Sequence, residues 1–237
     1  MKKWSLFSFF LFLTSISTAQ FGLTIGSARS SASEWRILTD NYISKGKQDF
    51  LKYGTSAGLD YVFPFYNGTL ELQPSINALR ITSTLAHFSN NFAHDFELNG
   101  VGIHIKFNVY PIKLWKQVKI KESNEPGAPK GWFLQAETGL NVTYLKYIYP
   151  KYLDGDHIEI ITMTTANSAP RVGLNTGYTI RLSNLLSFTP IVGFAYYPKI
   201  KWKDLTSTVT EEMLVDDFDT TDLKLFTIGA RIGFYLK

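Results

Sequence analysis

Apolar and polar residues alternate with period two along much of this chain, the spacing of strands that bury one face and not the other. From Arg171 to Leu182, Val172, Leu174, Thr176, Tyr178, Ile180 and Leu182 share one face, and Arg171, Gly173, Asn175, Gly177, Thr179 and Arg181 share the other. Near the end of the chain Phe226, Ile228, Ala230, Ile232, Phe234 and Leu236 oppose Thr227, Gly229, Arg231, Gly233 and Tyr235. Val101, Ile103, Ile105, Phe107 and Val109 oppose Gly102, His104, Lys106, Asn108 and Tyr110. Trp132, Leu134, Ala136, Leu140, Val142 and Tyr144 oppose Gln135, Glu137, Gly139, Asn141 and Thr143, and Leu59, Tyr61 and Phe63 oppose Gly54, Ser56, Gly58 and Asp60.

The pattern predicts eight strands, near 20–29, 50–65, 68–84, 95–112, 131–148, 168–183, 186–200 and 222–237. Asn67-Gly68 is a hairpin signal between the second and third, and Ser183-Asn184 serves as a tight turn between the sixth and seventh. The connections near 30–49, 85–94, 149–167 and 201–221 are longer and polar. An even strand number, short turns at one end and long loops at the other predict an all-β fold: an eight-stranded antiparallel up-and-down transmembrane β-barrel. The connection 113–130, with five lysines and two prolines, is too long for the short-turn end and reads as a solvated segment. Aromatic residues cluster where strands end: Tyr61, Phe63, Phe65 and Tyr66; Tyr144, Tyr147 and Tyr149; Tyr196, Tyr197 and Trp202. Such clusters are expected as girdles at the headgroup level of a bilayer.

The first residues have a different character. Lys2 and Lys3 precede an apolar run from Trp4 to Ile16, and Ser17-Thr18-Ala19 supplies the small residues that a signal peptidase requires. Residues 1–19 are therefore expected to be a cleaved signal peptide and 20–237 one barrel domain, placed in the cell outer membrane. Loss of Lys2 and Lys3 takes the formal charge from +4 to +2, so the basic balance of the whole chain says little about nucleic acid.

Composition narrows the chemistry. With no cysteine, disulfide scaffolds, thiolate metal sites and cysteine nucleophiles are excluded. Aromatic residues make up 15% of the chain, yet the mean hydropathy of −0.04 is that of a soluble protein. A barrel reconciles the two, because every second strand residue faces a polar interior.

Thr18-Ala19-Gln20 followed at once by Phe21-Gly22-Leu23 resembles exported proteins of the Bacteroidetes. With Leu70-Glu71-Leu72-Gln73-Pro74-Ser75-Ile76 after the first tight turn and a final Gly229–Leu236 strand, the layout resembles the small PorT-like outer-membrane β-barrel family of that phylum. The resemblance implies location and fold, not an activity.

On the expected interior face stand Asp60, Glu71 and Glu137 with Lys106, Arg171, Arg181 and Arg231, beside His104 and the amides Gln73, Asn77, Gln135, Asn141 and Asn175. The inside of an eight-stranded barrel is only wide enough for its own side chains, and charges buried there must pair. A salt-bridged polar network filling the barrel is expected, with a narrow porin-like channel as the alternative. Two motifs suggest hydrolysis. Gly54-Thr55-Ser56-Ala57-Gly58 fits G-x-S-x-G but falls inside an alternating strand, without the strand-turn-helix context of a nucleophile elbow. His87-Phe88-Ser89-Asn90 resembles the H-x-S-N segment of lipid A 3-O-deacylases, which implies His87 as base, Ser89 as nucleophile and Asp95 or Glu97 as orienting acid. The segment stands early in the chain, where that family carries it late.

His94 and His157 are too scattered for a metal site, and the acids of 201–222 lack the spacing of a calcium loop. The reading is thus a barrel that is not an enzyme and carries no metal or cofactor. Its partners are expected to be outer-membrane lipid and lipopolysaccharide, with a protein of the cell envelope besides, and no nucleic acid. The alternatives are a lipid A deacylase-like hydrolase, a narrow channel, and an exported soluble lipocalin-like binding protein.

Overall fold

The computed structural model describes residues 20–31, 53–66, 68–86, 93–119, 131–152, 158–202 and 220–235. The expected signal peptide, residues 1–19, lies outside the described residues, as do His87, Ser89 and His157. Eight strands are present: β1 (Gln20–Ser31), β2 (Tyr53–Phe65), β3 (Leu70–Ala86), β4 (Ala93–Val109), β5 (Gly131–Tyr152), β6 (Ile158–Arg181), β7 (Leu186–Lys201) and β8 (Thr220–Tyr235). Each pairs antiparallel with its neighbours in sequence, and β1 closes on β8 from Gln20↔Tyr235 to Ser31↔Lys224. The sheet is a closed up-and-down barrel, as the period-two pattern predicts. Closure leaves no sheet edge through the paired part of the wall.

At one end the connections are short. After β2, Tyr66 and Gly68 take positive φ values of 50° and 69°, while Gly68 N donates to Phe65 O and Thr69 N to Tyr66 O, both at 3.2 Å. After β6, Ser183 Oγ accepts from the amides of Leu185 and Leu186, both at 3.1 Å. The third connection at this end begins with a helix, α1 (Pro111–Lys119), where the sequence suggests a solvated segment. Tyr110 N bonds Thr69 O at 2.9 Å, Leu114 N bonds Tyr110 O at 3.0 Å, and Pro111 sits at the first helical position, which needs no N–H donor.

At the other end the strands run past their expected limits. The 149–167 connection is mostly hairpin, with β5 and β6 paired out to Tyr152↔Ile158. Ile158-Glu159-Ile160-Ile161-Thr162-Met163-Thr164-Thr165 is rich in β-branched residues and fits a pleated ladder. β6 meets β7 only from Val172↔Tyr196 onward, so residues 158–171 pair with β5 alone among the described residues. On the far side of β7, a register shift between Tyr197 and Ile200 bends the strand, and Lys199 takes a φ of 42°.

The two faces of the wall exchange polarity along the barrel axis. Over the turn-side part the outer face is apolar: Leu72 and Ile76 on β3, Ile103 and Ile105 on β4, Leu134 and Leu140 on β5, Leu174 on β6 and Ile232 on β8 are all exposed. Their inward neighbours, such as Glu71, Gln73, His104 and Asn141, are buried and polar. Beyond Ala78 on β3 and Tyr144 on β5 the order reverses. Arg80 and Thr82 face out while Leu79 and Ile81 face in, and Leu145, Tyr147 and Tyr149 are buried opposite outward Lys146. This loop-side interior is a hydrophobic core that also holds Phe96, Leu98, Tyr197, Ile200, Trp202, Leu223 and Leu225. Rings stack through it, Phe96 on Tyr147 at 4.6 Å and Tyr147 on Tyr149 at 4.7 Å between centroids.

The expected loop-end girdle is corrected by this core. Tyr147, Tyr149, Tyr197 and Trp202 point inward and are fully buried, whereas Tyr144 faces outward. Strand parity decides the matter: residues 145, 147 and 149 share the inward side with 141 and 143.

Candidate functional site: a filled barrel interior

The polar interior is built in two tiers. Nearer the turns, Glu71 Oε2 accepts from Asn108 Nδ2 at 2.9 Å, Gln73 Nε2 at 3.0 Å and the Tyr110 hydroxyl at 3.2 Å. Gln135 Nε2 donates to Asn108 Oδ1 at 2.7 Å and to Gln73 Oε1 at 3.3 Å, which joins β3, β4 and β5 across the lumen. On the β1 side of the lumen, Arg231 clamps Asp60 with Nε at 2.9 and 3.0 Å from the two carboxylate oxygens and Nη2 at 2.7 Å from Oδ1. This fork ties β8 to β2 over the top of β1. It passes Gly22, where any Cβ would collide with the guanidinium, so the absence of a side chain at 22 is what makes room for the pair.

The second tier centres on Glu137. Its Oε1 lies 2.6 Å from His104 Nδ1 and 3.4 Å from Arg171 Nη2, and its Oε2 accepts from Asn175 Nδ2 at 3.1 Å. His104 is completely enclosed, with Asn77 Nδ2 at 2.5 Å from Nδ1 and Asn141 Oδ1 at 3.0 Å from Nε2. Gly139 faces it from β5, and a Cβ there would strike the His104 ring. Arg171 continues the network upward, donating to the Tyr197 hydroxyl at 3.2 Å with its guanidinium 5.6 Å from that ring's centre. The polar network and the apolar core therefore meet at Tyr197. Lys106, also buried, borders a cavity of about 70 Å³ shared with Glu137, Arg171 and Asn175, and a larger one of about 790 Å³ lies against Gly26, Ser56, Leu79 and Gly100.

Asp60, Glu71, His104, Lys106, Glu137, Arg171 and Arg231 thus lie together in the lumen. Arg181 does not. It sits at the turn end, where Nε donates to Ser183 O at 3.0 Å and Nη2 to Asn184 Oδ1 at 2.8 Å. Its guanidinium folds back onto two acceptors of its own turn instead of reaching into the lumen. Without it, three carboxylates face Lys106, Arg171 and Arg231 in the membrane-level interior of the described strands, a one-to-one balance.

Of the sequence-suggested hydrolase residues, His87 and Ser89 lie outside the described residues. Glu97 lies on the outer face, its Oε1 2.8 Å from Arg80 Nε and 3.1 Å from Asn99 Nδ2. Asp95 is exposed on the same strand. Ser56 is a mid-strand residue of β2, opposite Gly26 and Leu79 in the ladders, with no turn to present its hydroxyl. Among the described residues no group of three His, Asp or Glu side chains could hold a metal ion. The apolar core is the main feature that sequence reading missed. Its signal was present: Arg80 and Lys146 interrupt the apolar face of their strands where Leu79, Ile81, Leu145 and Tyr147 take over the other.

A soluble monomer rarely exposes a contiguous apolar patch above about 600 Å², and here a ring of Phe, Leu, Ile and Val encircles all eight strands. Where irregular backbone and open edges are excluded, a closed barrel is the β-structure that can cross a bilayer. The class these features define is the outer-membrane β-barrel. No family model and no curated protein matches the chain. Solved structures of similar architecture include Ail, the attachment invasion locus protein of Yersinia pestis, in complex with the heparin analogue sucrose octasulfate (13% identity, TM-score 0.46, 91% of this chain and 99% of that one). A major outer membrane protein of Thermus thermophilus (10%, 0.48, 92% and 99%) and the outer membrane protease OmpT of Escherichia coli (9%, 0.43, 92% and 96%) are others. The likeness is one of architecture alone.

Proposed function

We propose that this protein is a non-conducting, non-enzymatic outer-membrane barrel whose work is done by its loop-side surface, as a structural element or partner of cell-envelope machinery. The observation that carries this reading is the double seal of the lumen. Bidentate Asp60–Arg231 and the Glu137–His104–Arg171 cluster fill the turn-side part, and the aromatic core from Phe96 to Trp202 fills the loop-side part. A pore needs both to open. Strands β5 and β6 carry the sheet well beyond the lipid belt, which supports a role in contact rather than transport. The surroundings implied are outer-membrane lipid and lipopolysaccharide, and the Phe-Gly-Leu start and Gly229–Leu236 end support kinship with the PorT-like barrels of the Bacteroidetes.

Planar-bilayer recording of the refolded chain tests the reading. No stepwise ohmic conductance is expected from the parent at neutral pH. Stable unitary steps in the parent, abolished by bulky substitution at Ala195 in the core, would replace this reading with that of a channel.

A further inference from the structure

We propose that α1 is a membrane-interface helix, which rests its apolar arc in the leaflet at the turn end of the barrel and turns the polar face that begins with Lys113 to anionic phospholipid headgroups. At 100° per residue, the apolar positions 114, 118, 111, 115 and 112 fall within roughly 160° of the helix circumference, joined there only by position 119 at the end of the last turn, with positions 113, 116 and 117, all polar, opposite. Ile112 and Trp115 are 53% and 61% exposed, in the range of the lipid-belt residues Ile105 (53%) and Leu140 (66%). A solvated connector has no reason to hold a tryptophan and an isoleucine in water one helical turn apart.

Three observations select lipid as the occupant. First, the exposed arc is continuous with the belt, because α1 follows β4 with only Tyr110 between them, and Phe107 on β4 and Trp132 on β5 are exposed at that rim. Second, the helix is fixed at that level. Tyr110 is buried, its hydroxyl bonded to Glu71 and its amide to Thr69, so the first turn cannot swing away from the wall. Third, α1 has three lysines and no acid, the complement of a phosphate surface. A tryptophan at the headgroup level with lysines snorkelling to phosphate is the usual composition of interfacial helices. Lys113 already lies over the Tyr110 ring, 5.4 Å from its centre, which keeps its stem along the barrel rim.

The chain has no cysteine, so a single thiol can report position without other changes. Trp115→Cys and Lys113→Cys, each labelled with the environment-sensitive fluorophore NBD, would be placed in nanodiscs of phosphatidylethanolamine and phosphatidylglycerol. For the label at 115, the expected result is blue-shifted emission, strong loss of intensity with headgroup-level spin-labelled lipid, weaker loss with a label deep in the acyl chain, and little loss with aqueous iodide. At 113 the iodide effect should dominate. Ile112→Cys serves as the second probe of the apolar arc if the Trp115 variant does not give the heat-modifiable folded band. Iodide quenching at 112 or 115 equal to that at 113, without lipid quenching, overturns the proposal and leaves the apolar arc for a soluble partner.

Discussion

Arg231 satisfies both oxygens of Asp60, and both side chains are buried; a guanidinium fork suits a carboxylate better than any other cation. Removing one member of such a pair strands the other charge. Arg231→Ala is expected to destabilise the barrel by roughly 3–5 kcal/mol, read from the urea midpoint of the heat-modifiable band. Paired replacement by Asp60→Asn with Arg231→Met should cost much less than that single change. An Arg231→Ala effect no larger than that of the double variant would show that the pair contributes nothing as a pair. Period-two parity was enough to place Asp60, Glu71, Lys106, Glu137, Arg171 and Arg231 on one face. It failed for Arg181, because parity says which way a side chain leaves the backbone and not where a long guanidinium ends.

Asp222 carries a different burden, outside the lipid belt. It accepts from Lys199 N at 2.8 Å and the Tyr196 hydroxyl at 2.7 Å, and so braces the backbone where Lys199 adopts positive φ. The Lys199 amide first, and the Tyr196 hydroxyl second, hold its carboxyl below the ordinary carboxylate range. A depressed carboxylate contributes stability above its unfolded-state pKa and loses it as pH falls through the folded value. Asp222→Asn should therefore be less stable than the parent near pH 7, with the gap closing below the carboxylate range. A gap constant down to about pH 2, below the unfolded carboxylate range, would rule out the ionised bond as its source.

At the scale of elements, the informative fact is that β3 and β5 each change their buried face from polar to apolar midway. Within the bilayer the outside is already dry, so the lumen can be polar. Above it the outside is water, and only an apolar interior leaves the extension something to bury. Tyr147 sits between Phe96 and Tyr149 in that core, and Tyr147→Ala is expected to cost roughly 3–5 kcal/mol. The loss should appear as protease sensitivity of the β5–β6 hairpin while the membrane-level barrel stays heat-modifiable. Equal sensitivity throughout would mean that the two halves melt as one. The side of the hairpin that pairs with no strand among the described residues carries Pro170, which cannot donate to a ladder, and Asn167, whose side-chain amide bonds Lys201 O. Helix α1 was legible too, in the i, i+3 spacing of Ile112, Trp115 and Val118, but five lysines in 113–130 made the segment look merely solvated.

For the molecule as a whole, the level at which the faces exchange polarity is the expected loop-side boundary of the bilayer. Ile105 lies within the belt on β4, and Ile105→Lys should cost roughly 2–4 kcal/mol in lipid. Thr82 lies beyond Arg80 on the loop side, and Thr82→Lys should be nearly neutral. Urea titrations of both variants in the same liposomes compare the two positions, and equal penalties would move the boundary. Barrel type, strand number and the short-turn end followed from local information, because each strand's alternation repeats every two residues and each turn carries its own Gly, Ser or Asn.

The sequence by itself determined a closed antiparallel wall with a lipid-type outer face and a set of inward charges, since strand periodicity and charge parity are properties of the backbone acting one residue at a time. Only the tertiary structure decided which charges pair, and in which tier. Asp60 and Arg231 are 171 residues apart, and nothing local relates them until β1 closes on β8. The same closure gathers Tyr147 and Tyr149 of β5 with Tyr197 and Trp202 at the end of β7 into one core, because parity turns each ring inward but only the completed ring sets them together.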